Sequence, residues 1–115
     1  MSPSGDVYQC AHQYFFSWKT GDWDRLRAAL APEVRFEAPG ERVLEGADAL
    51  VAWYREHARF PRLDNVTLRT LVSGEDEAIV AFDVFFDDRH ATVFDLLRVR
   101  AGRIVHVLTA AAYWK

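Results

Sequence analysis

The sequence predicts an α+β fold in which three helices pack on one face of a curved, mainly antiparallel sheet. Apolar residues recur at helical spacing in the first half of the chain. In the second half, apolar and polar residues alternate between short turn signals, as they do in β-strands. The chain has 115 residues, half of them hydrophobic, which suits one core, so residues 1–115 are predicted to form a single domain.

The three helices are predicted from apolar stripes and from residues that begin or end a helix. The first spans residues 7–19, where the apolar residues follow helical spacing. Asp22 suits the N-cap of a second, short helix, which has Leu30 on its buried side and is closed by Pro32. The third helix spans residues 47–59.

The remaining segments alternate apolar and polar residues and are separated by turn-forming residues. A sheet that curves strongly around a few helices forms a cone, and a cone leaves a cavity at its open end. We therefore expect an apolar pocket on the inner side of the sheet. The predicted strands cover residues 34–38, 65–72, 78–87, 91–100 and 103–111, with a short ribbon at 41–45.

Composition excludes several classes of function. The net charge is −3 and the 14 Lys and Arg are scattered, so no basic face for nucleic acid is expected. No apolar run is long enough for a membrane span, and the N-terminus does not resemble a signal peptide, so a cytoplasmic protein is predicted. Cys10 is the single cysteine and the four His lack ligand spacing, so neither a metal nor another cofactor is expected.

Two polar residues stand at positions where apolar ones are expected. Tyr14 lies on the apolar stripe of the first helix, and Asp95 interrupts an apolar strand. Burial favours the neutral carboxylic acid. A neutral Asp and a neighbouring Tyr each donate one hydrogen bond to a carbonyl or enolate oxygen. The pair therefore indicates an oxyanion-type site. The alternative is a buried polar pair that holds the helix to the sheet without a ligand.

Four motifs follow one another along the chain: YFFSWKTGDW at residues 14–23, PEVRF at 32–36, LEGADAL at 44–50 and LRVRAGRIV at 97–105. In this order they resemble the nuclear-transport-factor-2-like superfamily, and within it the SnoaL-like and ketosteroid isomerase-like branch. The resemblance runs over nearly the whole chain. It implies a cone-shaped, cystatin-like barrel and a homodimer, but this fold hosts enzymes, ligand binders and interaction subunits.

The resemblance also implies roles for single residues. Tyr14 matches the oxyanion-hole tyrosine of ketosteroid isomerase, and Tyr54 matches a tyrosine of the third helix that supports it through hydrogen bonds. Asp95 matches the acid that an apolar site keeps neutral. These three are the predicted catalytic residues. Ala38, directly before Pro39, stands where that enzyme has its general base.

The predicted pocket wall is aromatic and aliphatic. Alternation directs Glu37, Asp83 and His106 to the opposite face of the sheet, so none of them replaces the base that Ala38 lacks. The alternative is that the aromatic side chains fill the core and leave no cavity. The predicted ligand-binding residues are Trp18, Phe36, Ala38, Trp53, His57, Phe82, Val84, Phe86 and Val107.

Three functions remain open at this stage. The first is an enzyme that isomerises, cyclises or hydrates a small apolar, carbonyl-bearing molecule. The second is a non-catalytic pocket for a hydrophobic ligand, and the third is a dimerisation or interaction module with a closed cavity. Alternation puts Phe85, Phe94 and Leu96 on the outer face of the sheet, which predicts a homodimer through that face.

Overall fold

In the described part of the chain, three helices and two strands precede the four strands of the second half, as the sequence predicts. The structure is a computed structural model that describes residues 3–56, 65–86 and 89–114. Predicted residues 57–59 of the third helix, with His57, lie outside the described residues, as does the side chain of Phe86. The elements are α1 (Pro3–Thr20), α2 (Trp23–Ala29), β1 (Leu30–Ala38), β2 (Arg42–Glu45), α3 (Ala47–Glu56), β3 (Val66–Ser73), β4 (Glu77–Phe86), β5 (Arg89–Arg100) and β6 (Arg103–Trp114).

The six strands found among the described residues form one sheet in the order β2-β1-β6-β5-β4-β3. All neighbours are antiparallel except β1 and β6, which run parallel. The sheet wraps around the helices: α1 packs on β3 and β4, and α3 packs on β1 and β2. Because β2 and β3 remain edges, the sheet is curved but not closed, and the predicted barrel is an open one.

The boundary between α2 and β1 differs from the prediction. Asp22 caps α2 as expected, accepting a hydrogen bond from the backbone N–H of Arg25, but the helix ends at Ala29. Leu30 is already extended and pairs with Ile104 of β6, so tertiary pairing overrides its helical spacing. Pro32 therefore lies within β1, where the register with β6 shifts, as expected of a residue without a backbone N–H.

The last two strands are longer than the sequence pattern indicates. β6 extends to Trp114, three residues beyond the predicted end, and remains paired with β5 along this length. The two strands are joined by Ala101 and Gly102, with φ of 52° and 76°, a backbone that suits a tight hairpin turn. The long β5–β6 ribbon forms the middle of the sheet.

The core lies between the helices and the inner face of the sheet. Phe36, Leu97 and Val107 from adjacent strands are buried there, beneath Phe15 of α1 and Leu50 of α3. Burial also raises the pKa of the Cys10 thiol to about 11, which makes it an inert part of the core. None of the described helices is both long and apolar enough to cross a membrane.

The outer face of the sheet carries the residues that alternation assigns to it. Glu37 accepts a hydrogen bond from His106 at 2.8 Å. Asp83 accepts a hydrogen bond from the Thr92 hydroxyl at 2.7 Å and forms an ion pair with Arg69 at 3.5 Å. Five large apolar residues are also exposed on this face, between 44% and 60% of their area: Val43, Val72, Ile79, Phe85 and Phe94.

Candidate functional site

A cavity of about 320 Å³ lies between α1, α3 and the inner face of the sheet. This volume is at the lower end of the range for sites that bind small molecules. Each element contributes side chains at the spacing that its geometry dictates, every other residue on a strand and one stripe on a helix. The lining residues are Tyr14, Trp18, Phe36, Trp53, Tyr54, Phe82, Val84, Ala91, Val93, Asp95, Thr109 and Ala111.

The structure brings the three predicted catalytic residues together in this cavity. Tyr14 and Tyr54 are joined by a hydrogen bond between their hydroxyl groups. The Tyr14 hydroxyl also lies 3.4 Å from Oδ2 of Asp95 and donates to it. At most 9% of each of the three side chains is exposed, so the group is held away from bulk water.

Asp95 has a second hydroxyl partner, Thr109. The two residues are directly opposite each other on β5 and β6, and the Thr109 side chain hydrogen-bonds the carboxyl group. Cross-strand neighbours on one face lie close enough for such a contact. The carboxyl group of Asp95 is thus bonded from both sides, by Tyr14 from α1 and by Thr109 from β6.

Burial governs the acidity of the whole group. Loss of hydration raises the pKa of Asp95 to about 6, although the hydrogen bonds from Thr109 and Tyr14 lower it. Loss of hydration also raises the pKa of Tyr14 and of Tyr54 well above the usual value, and the nearby Asp95 carboxylate adds to both shifts. Both phenols therefore stay protonated, and Asp95 is the group that titrates near neutral pH.

The rest of the wall is aromatic and aliphatic, and its aromatic side chains contact one another in pairs. Trp18 and Phe82 contact each other with ring centroids 5.1 Å apart, and Phe36 and Trp53 do so at 5.4 Å. The guanidinium of Arg42 lies over the Trp53 ring, 5.7 Å from its centroid, at distances typical of a cation–π contact. The aromatic side chains thus line the cavity as well as packing against the core.

Two predicted pocket residues lie outside the lining of this cavity. Val107 is fully buried and pairs with Phe36 and Leu97. It therefore belongs to the core, two residues before the cavity-lining Thr109 on β6. Ala38 ends β1 and lies at a neighbouring hollow. The predicted lining residues Trp18, Phe36, Trp53, Phe82 and Val84 do line the cavity.

The neighbouring hollow, of about 350 Å³, forms where β1 ends and β6 continues paired with β5 alone. Its wall includes Ala38 at the end of β1 and Glu41 in the turn that follows. It shares Val93, Thr109 and Ala111 with the cavity. Glu41 follows Ala38 in a tight turn, because its backbone N–H donates to the Ala38 carbonyl at 2.9 Å. A carboxylate thus stands three residues after the alanine.

Sequence reasoning missed four lining residues: Ala91, Val93, Thr109 and Ala111. The signal was present for all of them. Ala91 and Val93 share the inner face of β5 with Asp95, because they precede it by four and two residues. Thr109 and Ala111 likewise share the inner face of β6 with Val107. Extending the two-residue period from the known inward residues finds them. Among the described residues there is no cluster of three or more His, Cys, Asp or Glu that could hold a metal ion.

Comparison with known proteins bears on the family and the fold. A model of the SnoaL-like domain matches residues 11–107, well over half of the chain. A search of curated proteins found no match.

Solved structures match over almost the whole chain. A "putative ketosteroid isomerase" from Kribbella flavida has a TM-score of 0.86 and 19% identity, over 100% of this chain and 84% of that one. An NTF2-like protein of unknown function from Mesorhizobium loti has a TM-score of 0.83 and 19% identity, over 97% and 95%. An LEH-like epoxide hydrolase from M. tuberculosis has a TM-score of 0.75 and 13% identity, over 95% and 84%. At these identities the matches show a shared fold, not a shared activity.

Proposed function

The chain belongs to the SnoaL-like family, and we propose that it binds a small apolar molecule through a carbonyl or enol oxygen. The oxygen of the ligand contacts Tyr14 and Asp95, and its carbon skeleton packs on the aromatic wall. Two of the structural neighbours, a "putative ketosteroid isomerase" and an LEH-like epoxide hydrolase, are named for different reactions. The family alone therefore does not choose the ligand.

One observation carries this proposal: the hydroxyl and carboxyl groups of the cavity wall lie together rather than dispersed over it. Tyr14, Tyr54, Asp95 and Thr109 form one hydrogen-bonded group, whereas the other lining residues are aromatic or aliphatic apart from the indole N–H groups. A cavity with a few converging polar groups on an apolar wall fixes the orientation of a ligand. A core that merely filled its space would leave no volume of 320 Å³ beside such a group.

Proton transfer from carbon is a second candidate function, and Glu41 is the observation that favours it. With its oxygen at Tyr14, a ketone can extend past Val93 and Thr109 towards the hollow that Glu41 lines. The carboxylate of Glu41 would take a proton from the carbon next to the carbonyl. The electron pair of that C–H bond becomes the C=C bond of an enolate, whose oxygen is stabilised by the hydrogen bonds of Tyr14 and Asp95. Return of the proton to the same or another carbon completes an exchange or an isomerisation.

We further propose a homodimer that forms through the outer face of the sheet, with the chain in the cytoplasm. Ile79, Phe85 and Phe94 are exposed there, and Leu96 and Leu108 pair beside them. An apolar surface of this kind favours burial against a second copy, and a two-fold axis brings the same residues of both copies together.

The ligand proposal is tested with β-naphthol, a bicyclic phenol that imitates an enol. At about pH 5, where Asp95 is protonated, we expect it to bind with a stoichiometry of one per chain and to be weakened about tenfold in Tyr14→Phe, because the hydrogen bond from Tyr14 is lost. Isothermal titration calorimetry and quenching of tryptophan fluorescence both report binding, since Trp18 and Trp53 line the cavity.

Tyr8→Phe is the matched control, because Tyr8 lies on the same helix but is exposed. Its affinity should equal that of the unsubstituted chain. If β-naphthol does not bind, or if Tyr14→Phe and Tyr8→Phe bind it equally well, the proposed role of Tyr14 is wrong.

A further inference from the structure

The four hydrogen-bonding side chains of the cavity wall, Tyr14, Tyr54, Asp95 and Thr109, hold a limited number of protons. Each of the hydroxyl groups of Tyr14, Tyr54 and Thr109 carries one, and an ionised carboxylate carries none. An ionised Asp95 only accepts hydrogen bonds, so Tyr14 and Thr109 both donate to it. The hydrogen bond between the two phenols must then be donated by Tyr54 to Tyr14. Within this network every hydroxyl proton is in use.

A ligand oxygen that only accepts hydrogen bonds finds no donor in that state of the network. Tyr14 can turn to the ligand only by leaving Asp95, and a buried carboxylate that loses a donor is costly. Protonation of Asp95 changes this balance. The carboxylic acid has a proton of its own, so Tyr14 is released and two donors face the ligand.

We propose that the cavity takes up one proton together with a ligand whose oxygen only accepts hydrogen bonds, such as a ketone. Asp95 holds the added proton, and Tyr14 turns from Asp95 to the ligand. A hydroxyl ligand needs no added proton, because it donates to the ionised carboxylate instead. This inference rests on the proposed function, and it adds that the pH selects between two chemical classes of ligand at the same site.

The groups that surround Asp95 do not change their own protonation near neutral pH, so Asp95 carries the added proton. Tyr14 faces it from α1 and Tyr54 lies behind Tyr14 on α3, and both phenols stay protonated. On the strands, Val80 of β4 and Thr109 of β6 are its direct neighbours, and neither titrates. Among the described residues that line the cavity, Asp95 is the only charged type of side chain. Its pKa of about 6 places the exchange between the two states close to neutral pH.

Thr109 acts here as a positioning residue. Its hydroxyl donates to the carboxylate and so favours the ionised state. Without that donor, Asp95 would keep its proton to a higher pH and the cavity would accept ketones over a wider range. The serine side chain carries the same donor, which allows a conservative test.

The experiment compares two probes of similar shape: methyl β-naphthyl ketone, whose oxygen only accepts, and β-naphthol, which donates and accepts. Dissociation constants are measured at about pH 5 and about pH 8, on either side of the expected protonation of Asp95. We expect the ketone to bind at least about tenfold more weakly at the higher pH, and β-naphthol to change by less than about threefold. Calorimetry in buffers of different ionisation enthalpy should report uptake of about one proton with the ketone at the higher pH.

Three variants separate this mechanism from a general effect of pH. In Asp95→Asn the amide is a donor at every pH, so ketone affinity should not change with pH by more than about twofold. Thr109→Val should move the loss of ketone affinity upwards by about half a pH unit or more. Thr109→Ser keeps the hydroxyl donor and should restore the original pH profile.

The results distinguish this inference from the proposed function. If neither probe binds at either pH, the ligand site itself is wrong and the inference falls with it. If both probes bind but ketone affinity is the same at both pH values, the cavity is a ligand site and the coupling to a proton is wrong. A ketone affinity that still depends on pH in Asp95→Asn would also overturn the inference, because another group would then carry the proton.

Discussion

The Tyr14 hydroxyl lies 3.4 Å from Oδ2 of Asp95, although 81 residues separate the two in the chain. Tyr14 comes from α1 and Asp95 from the middle of β5, so their contact exists only once the helix has packed on the sheet. Both side chains are at most 5% exposed. The contact therefore joins a ligand site to the stability of the fold, since the same carboxyl group serves both.

The effect of Asp95→Asn on the free energy of unfolding should become more favourable as the pH rises. The pKa of Asp95 is raised from 3.8 to about 6, so the folded chain binds this proton more tightly than the unfolded chain. The resulting stability is complete below the unfolded value and is lost as the pH rises through about 6. Two pKa units correspond to about 3 kcal/mol of stability, and the Asn variant does not lose it because the amide does not ionise. Urea denaturation gives the free energy of unfolding of the variant minus that of the unsubstituted chain. This difference should be roughly 2–3 kcal/mol more favourable to Asp95→Asn at about pH 8 than at about pH 4.

Asp83→Asn is the contrasting control. Hydrogen bonds from Thr92 and His90 and the charge of Arg69 lower the pKa of Asp83 on the outer face. Its stabilising contribution is therefore present above the ordinary pKa and is lost as the pH falls through the lowered value. The pH dependence of the Asp83→Asn difference should have the opposite sign. The same sign for both variants would contradict the burial argument for Asp95.

Ala91→Leu should block the cavity without unfolding the protein. Ala91 lines the cavity and is 3% exposed, so the larger side chain extends into existing space. We expect β-naphthol to bind at least about tenfold more weakly, while the free energy of unfolding changes by less than about 1.5 kcal/mol. Calorimetry and urea denaturation measure the two quantities. Ala112→Leu adds the same atoms at an exposed position of β6 and should leave binding unchanged; equal losses in the two variants would place the ligand elsewhere.

Glu41→Gln should slow the exchange of carbon-bound protons if the second candidate function is correct. The probe is β-tetralone in heavy water, whose acidic C–H groups next to the carbonyl exchange at a rate that NMR can follow. The unsubstituted chain should accelerate this exchange, and the variant should lose a factor of about 100 or more, as expected when a general base is removed.

Glu33→Gln provides the control for this measurement, because Glu33 is an exposed glutamate of β1 that lines neither hollow. It should exchange β-tetralone protons at the original rate. An exchange rate that is unchanged in Glu41→Gln, together with intact β-naphthol binding, would leave a binding protein without this chemistry.

Phe94→Asp should dissociate the proposed homodimer. Phe94 is 44% exposed and pairs with Ala110 in the middle of the outer face. In a two-fold dimer the substitution acts twice, removing two aromatic contacts and burying two charges, so the dissociation constant should rise by about 100-fold or more. Sedimentation velocity measures the change. Tyr8→Asp alters a similarly exposed aromatic residue on α1 and should leave the dimer intact; a chain that is monomeric before any substitution would refute the proposal.

The local residue pattern was sufficient to predict the face on which a side chain lies wherever one side of an element faces the core. The two-residue period of β5 placed Asp95 on the inner face, and the same period placed Glu37 and His106 outside, where they pair. It failed at Leu30, because helical spacing continues for one residue past the point where pairing with β6 begins. The strand ladder, not the propensity of Leu, decides that boundary.

The sequence by itself determined the class of fold, the inward direction of Tyr14 and Asp95, and the alanine at position 38, because periodicity and residue type are properties of single elements. Only the tertiary structure decided what surrounds that carboxyl group. Thr109 becomes its partner through the register of β5 and β6, and Glu41 reaches the adjoining hollow because β1 ends while β6 continues. The hairpin turn brings β5 and β6 together, but the register that puts Thr109 opposite Asp95 also depends on a one-residue shift between Arg98 and Val99. That shift and the length of each strand result from packing against other elements, so the residue pattern of one strand does not determine them.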